Sequence, residues 1–359
     1  MFKILDYYLL KRFLQNLFVA LIAWIVIILV VDIIENMSRF IDQKATFRMV
    51  FLYYLYYIPY IISLILPVSM LLSALFTLSF SAQHNEIVAQ LSAGISLYRL
   101  LAPLFMLSLV ISSLAGVFNE TVVPIASQRR MDIKRYEISH NPRPNEKTRT
   151  NIYIQESSNR TLNARYFNGQ TNEARNVSIK TFNDAGLTER LDAERMTWTK
   201  DHWLLKSGSV RRFANGSEQL FLFKDSTLSN IRITPEQLAV VQKNPEEMSY
   251  NELVGFIAEL NELGADPRKW EVERQLKIAL PMANFIVVLL GAPLASRKRS
   301  GGIGLNFGLS LMVSFIYFII IRTGQVFGHQ GQLQPMLAAW LGNLIFFTLG
   351  LYSLLAVRK

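Results

Sequence analysis

The sequence predicts a membrane α-helical protein with a β domain inserted between two sets of three spans. Three observations carry that reading. Apolar residues make up half of the 359 positions and gather into six runs of about the 20 residues a helix needs to cross a bilayer. A middle segment of near-neutral charge is written instead in short, alternating runs with turn residues between them. Finally, a short polar connection between two of the apolar runs carries a helix-sized amphipathic segment where a turn would suffice.

The six runs are approximately 13–34, 58–80, 100–123, 279–295, 303–322 and 335–357. The first is too long for the apolar core of a signal peptide and lacks a following small-residue cleavage site. The second is preceded by Met49 and a cluster of tyrosines, Tyr53, Tyr54, Tyr56, Tyr57 and Tyr60, and is interrupted by Pro59 and Pro67. Tyrosines suit the head-group level, so an interfacial or tilted lead-in followed by a span from Ile58 to Phe80 is expected. The net charge of +10 does not indicate nucleic acid. Residues 124–266 hold 20 Lys plus Arg against 19 Asp plus Glu, and the excess lies beside the apolar runs, where it serves orientation and anionic head groups. With six spans, Lys3, Lys11, Arg12, Arg99, Arg297, Lys298, Arg299, Arg358 and Lys359 share one side. That side is expected to be cytoplasmic, with both termini inside and residues 124–266 outside.

The loop from Ser81 to Ser96 is the most informative stretch. Ile87, Val88 and Leu91 are expected on one side of a helix-sized segment at 84–92, Glu86 sits in its first turn, and Gly94 is placed to end it. Such an element is a docking site for a soluble partner, and His84, Asn85, Glu86, Ile87 and Leu91 are its candidate contacts. Glu86 also fits the plainer description of a solvated carboxylate.

Residues 124–246 read as a sandwich or jelly roll. Strand-like runs at 151–155, 162–167, 176–182 and 219–223 are separated by Asn168-Gly169, Ala185-Gly186, Ser207-Gly208 and Asn215-Gly216. Trp198, Trp203, Leu204, Leu205, Phe213, Phe221 and Phe223 are candidates for its interior, either as ordinary core or as the lining of an apolar groove for lipid chains. Residues 247–266 read as a helical linker: Ser249 and Glu252 form a capping box, and Leu253, Phe256, Ile257, Leu260 and Leu263 form a stripe ending at Gly264. Asp266-Pro267 then starts the helix of the fourth span.

Chemistry is largely excluded. No phosphate-binding loop is present, since Gly301-Gly302-Ile303-Gly304 lacks the lysine. His84, His140, His202 and His329 are scattered, and no cysteine or serine elbow marks a nucleophile. No cofactor or metal is expected. Asp32 and Arg322 are the nearest ionisable groups within spans, which disfavours a proton-coupled carrier. Arg39, Arg129, Arg130 and Arg322 fall near the outer ends of spans. They suit head-group anchoring or, as a set, the phosphates of a large anionic lipid.

The order and spacing of several local motifs resemble the LptF/LptG permease family over essentially the whole chain. They are Leu5-Asp6-Tyr7-Tyr8, Asn85-Glu86-Ile87-Val88 with Ser92-Ala93-Gly94-Ile95-Ser96, Asn119-Glu120 through Val123-Pro124, Ala193-Glu194, Trp198 through Trp203-Leu204-Leu205, Pro281, and Gly291 through Lys298. The opening motif and Phe40-Ile41-Asp42-Gln43 are closer to the LptG branch. The resemblance implies a non-catalytic, inner-membrane subunit of an ATP-driven lipopolysaccharide exporter. Its partners would be a dimeric cytoplasmic ATP-binding-cassette ATPase, a paralogous LptF-type permease and periplasmic β-jelly-roll bridge proteins. Residues 1–123 and 267–359 would then be the two membrane halves and 84–92 the ATPase-coupling helix; the position that contacts lipid phosphates would be Arg39 if Phe40-Ile41-Asp42-Gln43 is aligned with a short insertion, or Asp32 without it. A secondary carrier and a scaffold whose β domain only binds partners are the alternatives.

Overall fold

A computed structural model describes residues 4–139, 148–157, 159–183, 186–199, 202–214, 217–228, 233–235, 238, 244–263, 266–296 and 303–356. The chain divides into two compact units. One comprises residues 1–141, 245–253 and 268–359, and the other residues 142–244 and 254–267.

The first unit is helical. Helix α1 spans Ile4–Asp42, α2 Phe47–Gln83, α3 Glu86–Ser92, α4 Leu97–Thr121 and α5 Val123–Asp132, the last running into a π turn at Ile133–Ile138. After the β domain come α6 (Tyr250–Leu263), of which residues 254–263 belong to the second unit, then α7 (Arg268–Ala295), α8 (Ile303–His329) and α9 (Pro335–Leu355). Six helical stretches among the described residues are long and apolar enough to cross a membrane: α1, α2, the stretch from α4 through the π turn, α7, α8 and α9. Six spans are what the sequence predicts, although α1 is far longer than 13–34.

Two expectations are corrected here. Residues 124–138, placed by sequence in the β domain, continue the third helical stretch; Pro124 sits in the first turn of α5, where its missing N–H costs nothing. The tyrosine-rich segment before Ile58 is no separate lead-in, because α2 runs unbroken through Pro59 and Pro67. Tyr53 and Tyr54 are buried within the unit. Each ring has a polar neighbour to satisfy it: the Tyr54 hydroxyl donates to Asp32 at 2.9 Å, and Tyr53 faces the Arg130 guanidinium.

Helices α2 and α7 form the interior of this unit, with 67 % and 72 % of their apolar cores buried, whereas the same measure for α1 is 11 %. Close approach fixes the α2–α7 contact, since a side chain at Gly291 would collide with Leu71. Buried polar bonds then lock α7, α8 and α9. The Tyr317 hydroxyl donates to Asn343 Oδ1 at 2.6 Å, and Asn343 Nδ2 donates to the Ala279 carbonyl at 2.7 Å. Such bonds fix one register within an otherwise apolar bundle. The segment leading back into α7 is clamped as well. Arg135 forms paired bonds of 2.9 and 3.1 Å with the buried Glu247, Gln128 donates to the Glu247 carbonyl, and Glu120 accepts the Tyr250 N–H. The Ser249–Glu252 capping box forms as the sequence predicts.

The second unit holds one six-stranded antiparallel sheet: β1 (Thr148–Ser157), β2 (Arg160–Asn168), β3 (Glu173–Asn183), β4 (Gly186–Thr199), β5 (His202–Ala214) and β6 (Ser217–Leu228). Among the described residues the strands pair in chain order, so the β domain there is a single-sheet meander. Asn168-Gly169 marks the end of β2 and Gly186 opens β4, while Ala185 lies outside the described residues. Ser207-Gly208 lies within β5, where Ser207 takes a left-handed φ of 51° and the absent side chain of Gly208 leaves room for the Phe223 ring. The Asn215-Gly216, Gly301-Gly302 and Arg297–Arg299 features lie outside the described residues. The core contains Ile152, Leu162, Phe167, Met196, Trp203 and Leu205, each without exposed surface, and the Trp203 indole N–H donates to the Ile233 carbonyl at 2.8 Å.

Candidate functional site

The functional side chains of the helical unit lie at its two ends. At one end, α2 closes with His84, whose ring stacks on Phe80 and whose Nδ1 lies 2.9 Å from the Phe80 carbonyl. Asn85 adopts a left-handed φ of 58°, a conformation asparagine tolerates better than most residues. Helix α3 follows, and it ends as the sequence predicts. Gly94, at φ 82°, donates to Leu91, and Ile95 reaches back to Gln90, which is the paired-bond arrangement of a Schellman cap.

The three apolar residues of α3 do not share one face. Ile87 is 2 % exposed and joins the core formed with Leu9, Phe13, Ala82 and Leu97, whereas Val88 and Leu91 are 49 % and 43 % exposed. Ile87 therefore anchors the helix, and Val88 with Leu91 forms its free apolar surface. Glu86 is not a bare carboxylate either. It accepts a bond from the Tyr8 hydroxyl at 3.2 Å and lies 4.0 Å from Arg12. The Arg12 guanidinium also sits 3.5 Å from the centroid of the Phe80 ring. Sequence reasoning named neither Tyr8 nor Arg12 as a partner. Their i, i+4 spacing puts them on one helix face, but nothing in the local pattern links them to a residue 78 positions away.

The opposite end of the helices gathers basic groups and tyrosines. Arg130 is buried, with its guanidinium 3.9 Å from the Tyr57 ring centroid and 5.5 and 5.7 Å from those of Tyr53 and Tyr60. Among the described residues, two of its nitrogens, Nε and Nη1, have no hydrogen-bond partner. The tyrosines stand at i, i+4 and i+7 on α2 and so form a single ladder that the arginine covers. Arg39, in the last turn of α1, is exposed. Lys134 lies within electrostatic reach of both Arg39 and Arg130, and of Asp32.

Tyr60 also borders a second feature, a cavity of about 360 Å³ with an apolar wall that includes Leu64, Pro67 and Phe318. Lys269, Lys277 and Arg322 supply its positive charge, with Glu246 and Glu273 beside them. Arg322 donates to Gln325, which in turn donates to Glu273. Of the four arginines singled out by sequence, the structure thus joins Arg39 with Arg130 and puts Arg322 in the neighbouring cavity. Arg129 is exposed. Lys134, Lys269 and Lys277 are additions that sequence reasoning missed, since each reads locally as an ordinary flanking charge.

The β-domain candidates separate by burial. Trp203 and Leu205 are fully buried core, while Trp198 and Phe223 pack against that core partly exposed. Phe221 does not line an interior. It is 52 % exposed on β6, between Leu220 at 55 % and Leu222 at 80 %. Among the described residues β6 is a terminal strand of the sheet, paired only to β5.

Six membrane-length helices in two sets, with a β domain spliced between them and polar clusters at both helical ends, define a multi-pass membrane protein of the permease kind. The family model described as "Lipopolysaccharide export system permease LptF/LptG" matches residues 7–356. The chain belongs to this family. It is similar to the lipopolysaccharide export system permease protein LptG of Escherichia coli K12, at 20 % identity over 306 residues covering 82 % of each chain. The LptG protein of Escherichia coli O6:H1 matches to the same extent.

Proposed function

We propose that this chain is the LptG-type permease subunit of an ATP-driven exporter in the bacterial inner membrane. It extracts lipopolysaccharide from the outer leaflet and passes it to a periplasmic β-structured bridge. The observation that carries the reading is α3: a short helix held between two membrane helices, anchored by Ile87, that presents Val88 and Leu91 to a partner. A dimeric cytoplasmic ATPase docks there, with His84, Asn85, Glu86 and Leu91 as contacts, and ATP is hydrolysed on that subunit. Both termini and α3 are then cytoplasmic, and the β domain is periplasmic.

Lipid phosphates meet the basic groups at the far end of the helices. Arg130 supports this role because it is buried, charged and incompletely bonded, and guanidinium pairs well with phosphate oxygens. Arg39 and Lys134 extend that group, and Lys269, Lys277 and Arg322 line the apolar-walled cavity beside it. The exposed faces of α1 and α8 suit a paralogous LptF-type permease and acyl chains. The free edge of β6, with Leu220, Phe221 and Leu222, suits pairing with a strand of the bridge.

Purification of the chain from native membranes, followed by reconstitution, tests the reading. An ATPase and a second permease are expected in the same complex, with lipopolysaccharide release dependent on ATP. A chain that purifies without an ATPase, or moves lipid without nucleotide, overturns it.

A further inference from the structure

We propose that Asp6, Tyr8 and Arg12, in the first turns of α1, are positioning residues that strap the coupling loop to the first span. Movement imposed on α3 is thereby carried into α1. The inference rests on the coupling role proposed for α3, but it concerns groups to which that role gives no part.

The geometry has two attachments. Glu86, at the start of α3, is held by the Tyr8 hydroxyl at 3.2 Å and lies 4.0 Å from Arg12. Arg12 braces this contact by donating to the Tyr8 oxygen at 2.6 Å while stacking on Phe80, near the end of α2. The second attachment is beyond the other end of α3. Asp6 is 8 % exposed, and both of its carboxylate oxygens accept from Arg99 in the first turn of α4, at 3.0 and 2.7 Å. Ser96, which caps α4 by accepting the Arg99 N–H, fixes the backbone from which that arginine reaches.

A fork-to-fork pair resists rotation as well as separation, because two parallel bonds must break together. Both ends of the coupling loop are therefore tied to one helix turn region of α1, although no short stretch of chain joins them. Between the ties lies a cavity of about 340 Å³ bordered by Tyr8, Gln90, Gly94 and Arg99. The loop consequently touches α1 through these ties and through the buried Ile87, and is not packed solidly against it. Helix α1 also meets α2 through Phe13, Leu17 and the Asn16–Thr77 bond of 2.9 Å, but its most apolar stretch is only 11 % buried, so these ties add to a limited contact. Pulling α3 toward a partner then draws the inner end of α1 with it.

The test uses the whole reconstituted exporter and measures lipopolysaccharide released per ATP hydrolysed. Asp6→Asn and Arg12→Gln are each expected to retain the ATPase in the complex and to hydrolyse ATP, while the lipid released per ATP falls several-fold. Arg12 is a quarter exposed, so its variant keeps the test open if Asp6→Asn inserts poorly. Arg99→Lys, which keeps the charge but not the fork, is expected to fall between Asp6→Asn and the unaltered chain. An unchanged ratio in both Asp6→Asn and Arg12→Gln, in a complex that couples normally before substitution, overturns the strap and leaves the docking role standing. A loss of lipid release that merely tracks loss of the ATPase also overturns it. If the unaltered chain carries no ATPase, the docking role and the strap fall together.

Discussion

Reversing the charge of Glu86 separates what this carboxylate does inside the chain from what it does for a partner. Within the chain it lies 4.0 Å from Arg12, with side-chain exposures of 30 % and 25 %. Unit charges at that distance interact by about 1 kcal/mol in water and about 4 kcal/mol at the effective dielectric of a protein surface. Measured exposed pairs contribute about 0–1 kcal/mol, so the lower figure applies. Glu86→Lys exchanges that attraction for a similar repulsion, an internal cost of about 2 kcal/mol. A domain stability of about 5–15 kcal/mol absorbs it, and the variant should insert and fold. At a desolvated contact with a basic residue of the ATPase, the same change costs about 3 kcal/mol or more, roughly a hundredfold in affinity. Glu86→Lys is therefore expected in the membrane at normal level, with ATPase association lost when the complex is captured on a tagged permease. Adding Arg12→Glu restores the internal pair but not the external one, so the double variant should also fail to hold the ATPase. If Glu86→Lys assembles normally, or if Arg12→Glu rescues assembly in full, the docking role of this carboxylate is wrong.

Three further outcomes follow from packing and charge. Glu247→Ala leaves Arg135 facing a buried site without its carboxylate and should destabilise the helical unit by about 3–5 kcal/mol, read as a lowered melting temperature in detergent. The apolar double variant Arg135→Met with Glu247→Leu should lose less. Trp203→Ala removes the largest fully buried side chain and should cost the β domain about 3–5 kcal/mol, seen as earlier proteolysis between β1 and β6 in the full chain. In a chain without cysteine, Thr171→Cys in the β2–β3 turn should label from the periplasm and Gln83→Cys only after the inner face is opened; the reverse pattern inverts the topology.

Periodicity and turn chemistry were sufficient for the large features. Six apolar runs identify the spans, Gly94 ends α3 where its conformational freedom is needed, and Ser249 with Glu252 marks the start of α6. Local pattern failed where a distant partner decided the outcome. Tyr53 and Tyr54 look like interfacial residues until Arg130 and Asp32 are brought against them. Residues 124–138 carry the polarity of a soluble segment, yet Gln128 and Arg135 have Glu247 to meet, and the helix persists. Phe221 alternates like a core residue, but its strand is the last in the sheet and nothing described covers it. The same limit hid half of the cluster around Glu86. Glu86 is conspicuous in a short loop, whereas Tyr8, Arg12 and Asp6 gain meaning only when α1 is laid beside that loop.

The contact of Gly291 with Leu71 has a mechanical consequence for α2. At about 1.5 Å per residue, α2 is about 55 Å long, longer than the roughly 30 Å hydrocarbon layer. Leu71 divides it into an arm of about 18 Å toward Gln83 and one of about 21 Å toward Tyr57. If α3 is pulled as proposed, α2 turning as a stiff rod about that fulcrum would move its two tips in opposite senses with nearly equal amplitude. The tyrosine ladder under Arg130 would swing as α3 is pulled. Pro67, one turn from the fulcrum, is where such a rod would give way first, so the stiffness of α2 at this point sets how much of the stroke arrives.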